Sequence, residues 1–159
     1  MSNLTAFLAQ NVVQVEVEKV IVSKRFVEPV IDEETGKQKV DDNLKPVTKP
    51  VEWEVGAIDS TEDELIRKGH TKRLPVPGKK NVFQPSTDYD AYLATLGVRC
   101  TLFPNLHDKA LQDSYGVMGA EALLKKMLLP GEYAEYLKII QSINGFDVGM
   151  EEAVEEAKN

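Results

Sequence analysis

The side chains in this 159-residue chain best suited to metal or nucleophilic chemistry are two histidines and a single cysteine. His70 and His107 each stand alone, without a second histidine or a cysteine at ligand spacing. A zinc site draws on three or four such donors, so the histidines read as exposed loop residues. Cys100 and the distant His107 are the one cysteine–histidine pair to weigh. A catalytic thiol needs a base held by an orienting group, and nothing in the spacing supplies one, so Cys100 reads as a core cysteine. Glu132 and Glu135 lie three apart on a helical stretch, where paired carboxylates form a solvated face. There is no GxxxxGK[ST] and no GxGxxG, the two glycine-rich patterns that cradle phosphates. We therefore assign no catalytic, cofactor-binding or metal-binding residue and expect no enzyme.

Chemistry of association is better represented. Between Arg67 and Lys80 there are six basic residues and no acid. Such a run suits nucleic acid or an acidic segment such as Glu151–Glu156, and equally a solvated loop; apart from Phe83 just beyond it, it lacks interleaved aromatics. The net charge is −7, and phosphate repels an acidic surface, which disfavours nucleic acid as main partner. The five tyrosines, Tyr89, Tyr92, Tyr115, Tyr133 and Tyr136, all lie in the second half. That residue type serves both as core with a wet rim and as interface anchor.

The length suits one domain over residues 1–159, with a core that needs no metal or disulfide staple. With one cysteine, no intrachain disulfide forms. The opening MSNLTAFLAQN lacks a signal peptide's basic start and long apolar run, and no stretch approaches a membrane span. A cytoplasmic protein with no membrane contact is the expectation.

The elements follow from periodicity. Asn3 or Thr5 caps a short helix presenting Leu4, Phe7 and Leu8. Val13, Val15 and Val17 alternate with Gln14, Glu16 and Glu18, and the apolar run continues to Val22. This is strand chemistry with a bulge near Lys19. Residues 29–50 hold three prolines and a Glu-Thr-Gly turn, around which Val30-Ile31 and Gln38–Val40 suit a small hairpin. The excursion exceeds ordinary loop length, so it is mobile or a functional arm. Val51, Trp53 and Val55 form a second strand, paired with the first. A helix capped by Ser60 ends at Gly69. Residues 70–85, rich in proline, read as a basic connector. Ser86 or Thr87 caps a helix that Gly97 ends, and 98–103 is either extended or an irregular continuation. Three helices follow, roughly His107–Tyr115, Gly119–Leu128 and Gly131–Ile143, then a weak acidic helix near Gly149–Lys158. The fold class is α+β. A small N-terminal antiparallel sheet or hairpin (12–58) and a helix with its connector (59–85) precede a C-terminal bundle of short helices (86–159).

The stretch PNLHDKALQDSYGVMGAEALLKKMLLPGEYAEYLKIIQSINGFD, from Pro104 to Asp147, resembles the conserved heart of the XkdN-like phage tail assembly chaperones of Gram-positive hosts. VSKRF, the EW before a turn, ELIRK followed by TKR, and DYDAYLATLGVRCTLFPNL fit in order, as does the closing EEAVEEAKN. The likeness runs from about Val22 onward, with LQDSYG (Leu111–Gly116) and LPGEY (Leu129–Tyr133) as its most specific parts. Nothing carries over to residues 29–50. The resemblance implies a non-catalytic chaperone, acting in the host bacterial cytoplasm and absent from the mature virion. Such a protein coats the tape measure protein, keeps its apolar stripes soluble, and helps recruit the tail tube protein. A minor structural tail protein is the alternative, and a nucleic-acid-binding regulator acting through 67–80 a weaker one. Leu111, Tyr115, Met127, Tyr133 and Tyr136 are the candidate partner-binding residues, and any that is fully buried belongs to the fold. Ala157-Lys158-Asn159 is also compatible with a slippery A AAA AAC message, the kind that permits a −1 frameshift and an extended form.

Overall fold

A computed structural model describes residues 4–146. The expected final helix near Gly149–Lys158 lies outside the described residues, as does Asn3. A short 3₁₀ turn spans Leu4–Phe7 and leaves Leu4, Phe7 and Leu8 exposed. The valine-rich segment after it corrects one expectation. Only Glu18–Val20 forms a strand, β1, and Val13, Val15 and Val17 stand in solvent. The reason is the partner's length: β4 (Trp53–Val55) offers three residues, with Val20 opposite Trp53 and Glu18 opposite Val55. The pairing of the two strands is as expected, but the irregularity is elsewhere. The register shifts between Glu54 and Val55, where β4 also pairs with β7 (Thr101–Phe103), giving the sheet order β1-β4-β7.

Residues 27–50 form an ordered arm. β2 (Val27–Pro29) pairs antiparallel with β3 (Thr48–Pro50). The arm doubles back beyond them, with bridges Ile31–Gln38 and Val40–Pro46 and a turn in which Gly36 takes φ +68°. That conformation strains any residue with a Cβ. The expected hairpin around Glu-Thr-Gly is therefore present within a larger one.

Helix α1 spans Ser60–Gly69 and is capped by Asp59, whose carboxylate accepts from the Glu62 N–H at 2.8 Å; Ser60 is already helical. The connector expected at 70–85 is a second hairpin. β5 (Thr71–Pro75) pairs with β6 (Phe83–Thr87) over five residues. Prolines are admitted because both strands are open edges. Helix α2 spans Tyr89–Cys100 with Asp88 as cap. Gly97 does not end it. A Cβ there would meet Leu124 and Leu137 side chains at 3.3 Å each, so the glycine lets α4 and α5 close on α2. The chain passes directly from Cys100 into β7, settling 98–103 as one helical turn followed by strand.

Helices α3 (Lys109–Ser114), α4 (Ala120–Met127) and α5 (Pro130–Ile143) match the three expected from the sequence, each within two residues or so of its expected bounds. Helix α2 is central and packs on α1, α4, α5 and β7. The core joins Trp53 and Val55 of the sheet to Leu96, Leu106, Leu123, Leu124, Tyr136 and Ile140. Trp53 and Tyr136 meet edge to face, with centroids 5.2 Å apart. Each ring of this size contributes about 4–6 kcal/mol of burial before entropy is charged against it.

Candidate functional site

The LPGEY segment is the joint of the helical half. Pro130 opens α5, and the Glu132 carboxylate reaches back to accept from the Leu129 N–H at 2.9 Å. The same oxygen accepts from Arg25 Nη2 at 2.8 Å, while that guanidinium also donates to the Met127 carbonyl at 2.7 Å. The Arg25 guanidinium, then the Ser23 hydroxyl and the Leu129 N–H, hold the Glu132 carboxyl down to about 2. Ser23 is buried, and its hydroxyl accepts from the Arg25 N–H. VSKRF and LPGEY, 107 residues apart at the Arg25–Glu132 bond, are thus two halves of one clasp.

LQDSYG works similarly on a smaller scale. Asp108 caps α3 through the Leu111 N–H at 2.8 Å. The Gln112 side-chain amide donates to the Leu106 carbonyl at 2.9 Å and accepts from the Gly119 N–H at 3.0 Å. It spans the break at Gly116, which takes φ +67°.

Between these two joints and the sheet lies an apolar groove of about 360 Å³. Trp53 and Met127 form its floor, Phe26, Leu111 and Phe103-Pro104 its walls, and Arg25 stands at its edge. Val27, at the root of the arm, and Phe103 are each about half exposed. The groove is shaped by VSKRF, EW, TLFP and LQDSYG together. A slot lined by aromatics and aliphatics, with one cation at its lip, suits an apolar side-chain ridge of another chain.

The five candidate residues separate in the structure. Tyr136 is fully buried, donates to or accepts from Thr101 Oγ1, and has its hydroxyl pKa pushed up by burial. Met127 is 5% exposed and supports the groove from beneath. These two are fold residues. Leu111 is half-buried in the groove wall. Tyr115 and Tyr133 are also half-buried at the rim of the core, and the Tyr133 hydroxyl is pushed up by burial and then by Asp90. Arg25, Phe26, Trp53 and Phe103 were not singled out from sequence. Their signal was present, because VSKRF, EW and TLFP are parts of the resemblance, but no spacing rule brings residues 26, 53, 103 and 111 together.

Other chemically plausible groups are structural. Cys100 is buried, its thiol pKa is pushed up by burial, and it accepts from Asn144 Nδ2 at 3.3 Å. An activated thiol is shifted the other way. His70 Nε2 bonds Thr95 Oγ1 at 2.9 Å, and His107 lies on an exposed loop. Tyr92 donates to Asp63 beneath the Arg67 guanidinium, which stands 4.8 Å from the ring. Burial, then the Asp63 carboxylate, pushes Tyr92 up to about 12. This cluster fastens α1 to α2. No described helix is long and apolar enough to cross a membrane.

Comparison with known proteins agrees with the motif reading. Residues 4–158 match the family model described as phage XkdN-like tail assembly chaperone protein. The chain is 29% identical over 158 residues to the phage-like element PBSX protein XkdN of Bacillus subtilis (strain 168), covering 99% of this chain and 94% of the relative. It is 30% identical over 158 residues to the protein YqbN of the same organism, covering 99% and 93%. A crystal structure of the protein YqbN superposes with a TM-score of 0.65 over 92% of this chain and 99% of that one, at 24% identity, a likeness of fold.

Proposed function

The chain belongs to the XkdN-like phage tail assembly chaperone family, and from that premise we propose that it binds the tape measure protein through the groove between Phe26, Phe103 and Leu111. The role is non-catalytic: the protein covers apolar ridges of a long helical partner until the tail tube encloses it. It acts in the host bacterial cytoplasm and is left out of the mature virion, and the tail tube protein is a second partner.

The observation that carries this reading is that four of the sequence blocks giving the family resemblance, VSKRF, EW, TLFP and LQDSYG, line one apolar groove. A helix presenting side chains at i, i+3 and i+4 fits such a slot. The negative net charge keeps a coated complex soluble. Leu111 forms the wall, and Met127 and Tyr136 act by holding the shape; Tyr115 and Tyr133 stand at the core rim, outside the groove's lining.

Co-expression with the tape measure protein tests the proposal. Phe103→Glu and Val27→Glu alter half-exposed positions, so they leave the fold intact and are expected to abolish co-purification; Leu111→Lys should do the same. Undiminished capture by Phe103→Glu and Val27→Glu together would contradict the groove. Detection of the protein at stoichiometric level in purified particles would contradict the chaperone role and favour a structural one.

A further inference from the structure

We propose that the basic hairpin β5–β6 is the docking site for the chain's own acidic segment, residues 147–159. The hairpin lies apart from the groove, and this inference does not depend on what the groove binds. From Thr71 to Thr87 it carries Lys72, Arg73, Lys79 and Lys80 and no acid. The register sets its faces. Arg73, Pro85, Pro75 and Phe83 share one, and Lys72, Ser86, Leu74 and Gln84 share the other. Leu74, Val82 and Phe83 are each about half exposed. A two-stranded ribbon is marginal in water unless something packs on it. A segment carrying negative charge along with some apolar side chains would complement it.

The end of the described chain points to the occupant. After α5 the chain turns at Gly145, and the Phe146 ring stands 5.9 Å from the Arg67 guanidinium. The Arg67 carbonyl in turn accepts from Thr71 Oγ1, the first residue of β5, at 2.7 Å. The described chain therefore ends against α1, the helix that leads into the hairpin. From there the sequence holds Asp147, Glu151, Glu152, Glu155 and Glu156 against Lys158, with Val148, Met150 and Val154 between them. An extended strand of five residues is about 17 Å long, and residues 147–159 reach about 40 Å when extended, so length does not limit the contact. Attachment at Phe146 gives the acids an effective concentration on the order of millimolar, enough for exposed ion pairs that are individually weak. Nucleic acid is the rival polyanion. It is disfavoured by the single aromatic, Phe83, available to stack a base and by the acidic remainder of the chain.

Hydrogen exchange on the full chain, read by mass spectrometry, tests the contact. The quadruple variant Glu151→Gln, Glu152→Gln, Glu155→Gln, Glu156→Gln should speed exchange of the amides in 71–87 roughly fivefold or more, with α4 and α5 unchanged. Salt at about 0.5 M, which shortens screening to about 4 Å, should do the same to the wild type. Lys79→Glu with Lys80→Glu should also expose the hairpin, and adding Glu151→Lys with Glu152→Lys should restore protection. Equal exchange of 71–87 in wild type and quadruple variant would overturn the proposal. So would protection that appears only on adding a short DNA duplex, which would make nucleic acid the occupant.

Discussion

The helical core and the two hairpins use apolar residues in opposite ways. In α2, α4 and α5, Leu96, Leu123, Leu124, Tyr136 and Ile140 are all at or below 1% exposure. In the arm 27–50, Ile31 and Val40 are half exposed and Leu44 is 81% exposed. The hairpins hold their shape by backbone ladders and tight turns, with little apolar burial. The core therefore carries stability and the hairpins carry surface. The groove lies on the seam, with Trp53 and Met127 from the core beneath and Val27 from the arm above.

That contrast breaks first at Trp53. Trp53→Ala removes a ring that faces Phe26 and Tyr136, and should cost about 3–5 kcal/mol in denaturant unfolding. A loss below about 1 kcal/mol would mean that the sheet and bundle are not one core. Gly97→Val tests the close approach of α4 and α5 to α2. Overpacking against Leu124 and Leu137 should cost about 1–3 kcal/mol.

The clasp gives a pH signature. Glu132 has a folded pKa of about 2, below its ordinary 4.5. A depressed carboxyl contributes stability that is present above the unfolded value and lost as pH falls through the folded one. The wild type should therefore lose stability between about pH 4.5 and 2, and Glu132→Gln should flatten that part of the curve. Parallel acid profiles would remove the clasp from the account. The smallest effect is expected in the arm. Replacing residues 30–47 by Asn-Gly shortens the hairpin above β2 and β3 and should change stability by less than about 1 kcal/mol in the same unfolding assay.

Much of the core was legible from the sequence because helical periodicity is a local property. Leu123, Leu124 and Met127 share a stripe, Gly116 lies just past the end of α3, and Pro130-Gly131 open α5. What was not legible depended on partners. Val13, Val15 and Val17 alternate as strand residues do, yet β4 is too short to pair with them. Pro75 and Pro85 argued for a connector, though an exposed two-stranded ribbon tolerates both. Gly97 reads as a stop, but it is a contact point for Leu124 and Leu137, which lie 27 and 40 positions later. Asp59 and Asp88 cap helices from positions adjacent to the expected serine and threonine, since any short acceptor can serve there. The groove was the least legible feature of all. Its lining comes from separate blocks of the chain, and of the candidate residues only Leu111 and Met127 belong to it.

The central claim is that the groove holds the tape measure protein. The most direct measurement is the affinity of the purified full chain for a tape measure segment, comparing wild type with Phe103→Glu and with Tyr89→Glu, a half-exposed position on α2 away from the groove. The account predicts that binding falls at least about tenfold, roughly 1.4 kcal/mol, in Phe103→Glu and is retained in Tyr89→Glu. Equal affinity for Phe103→Glu and wild type would contradict it.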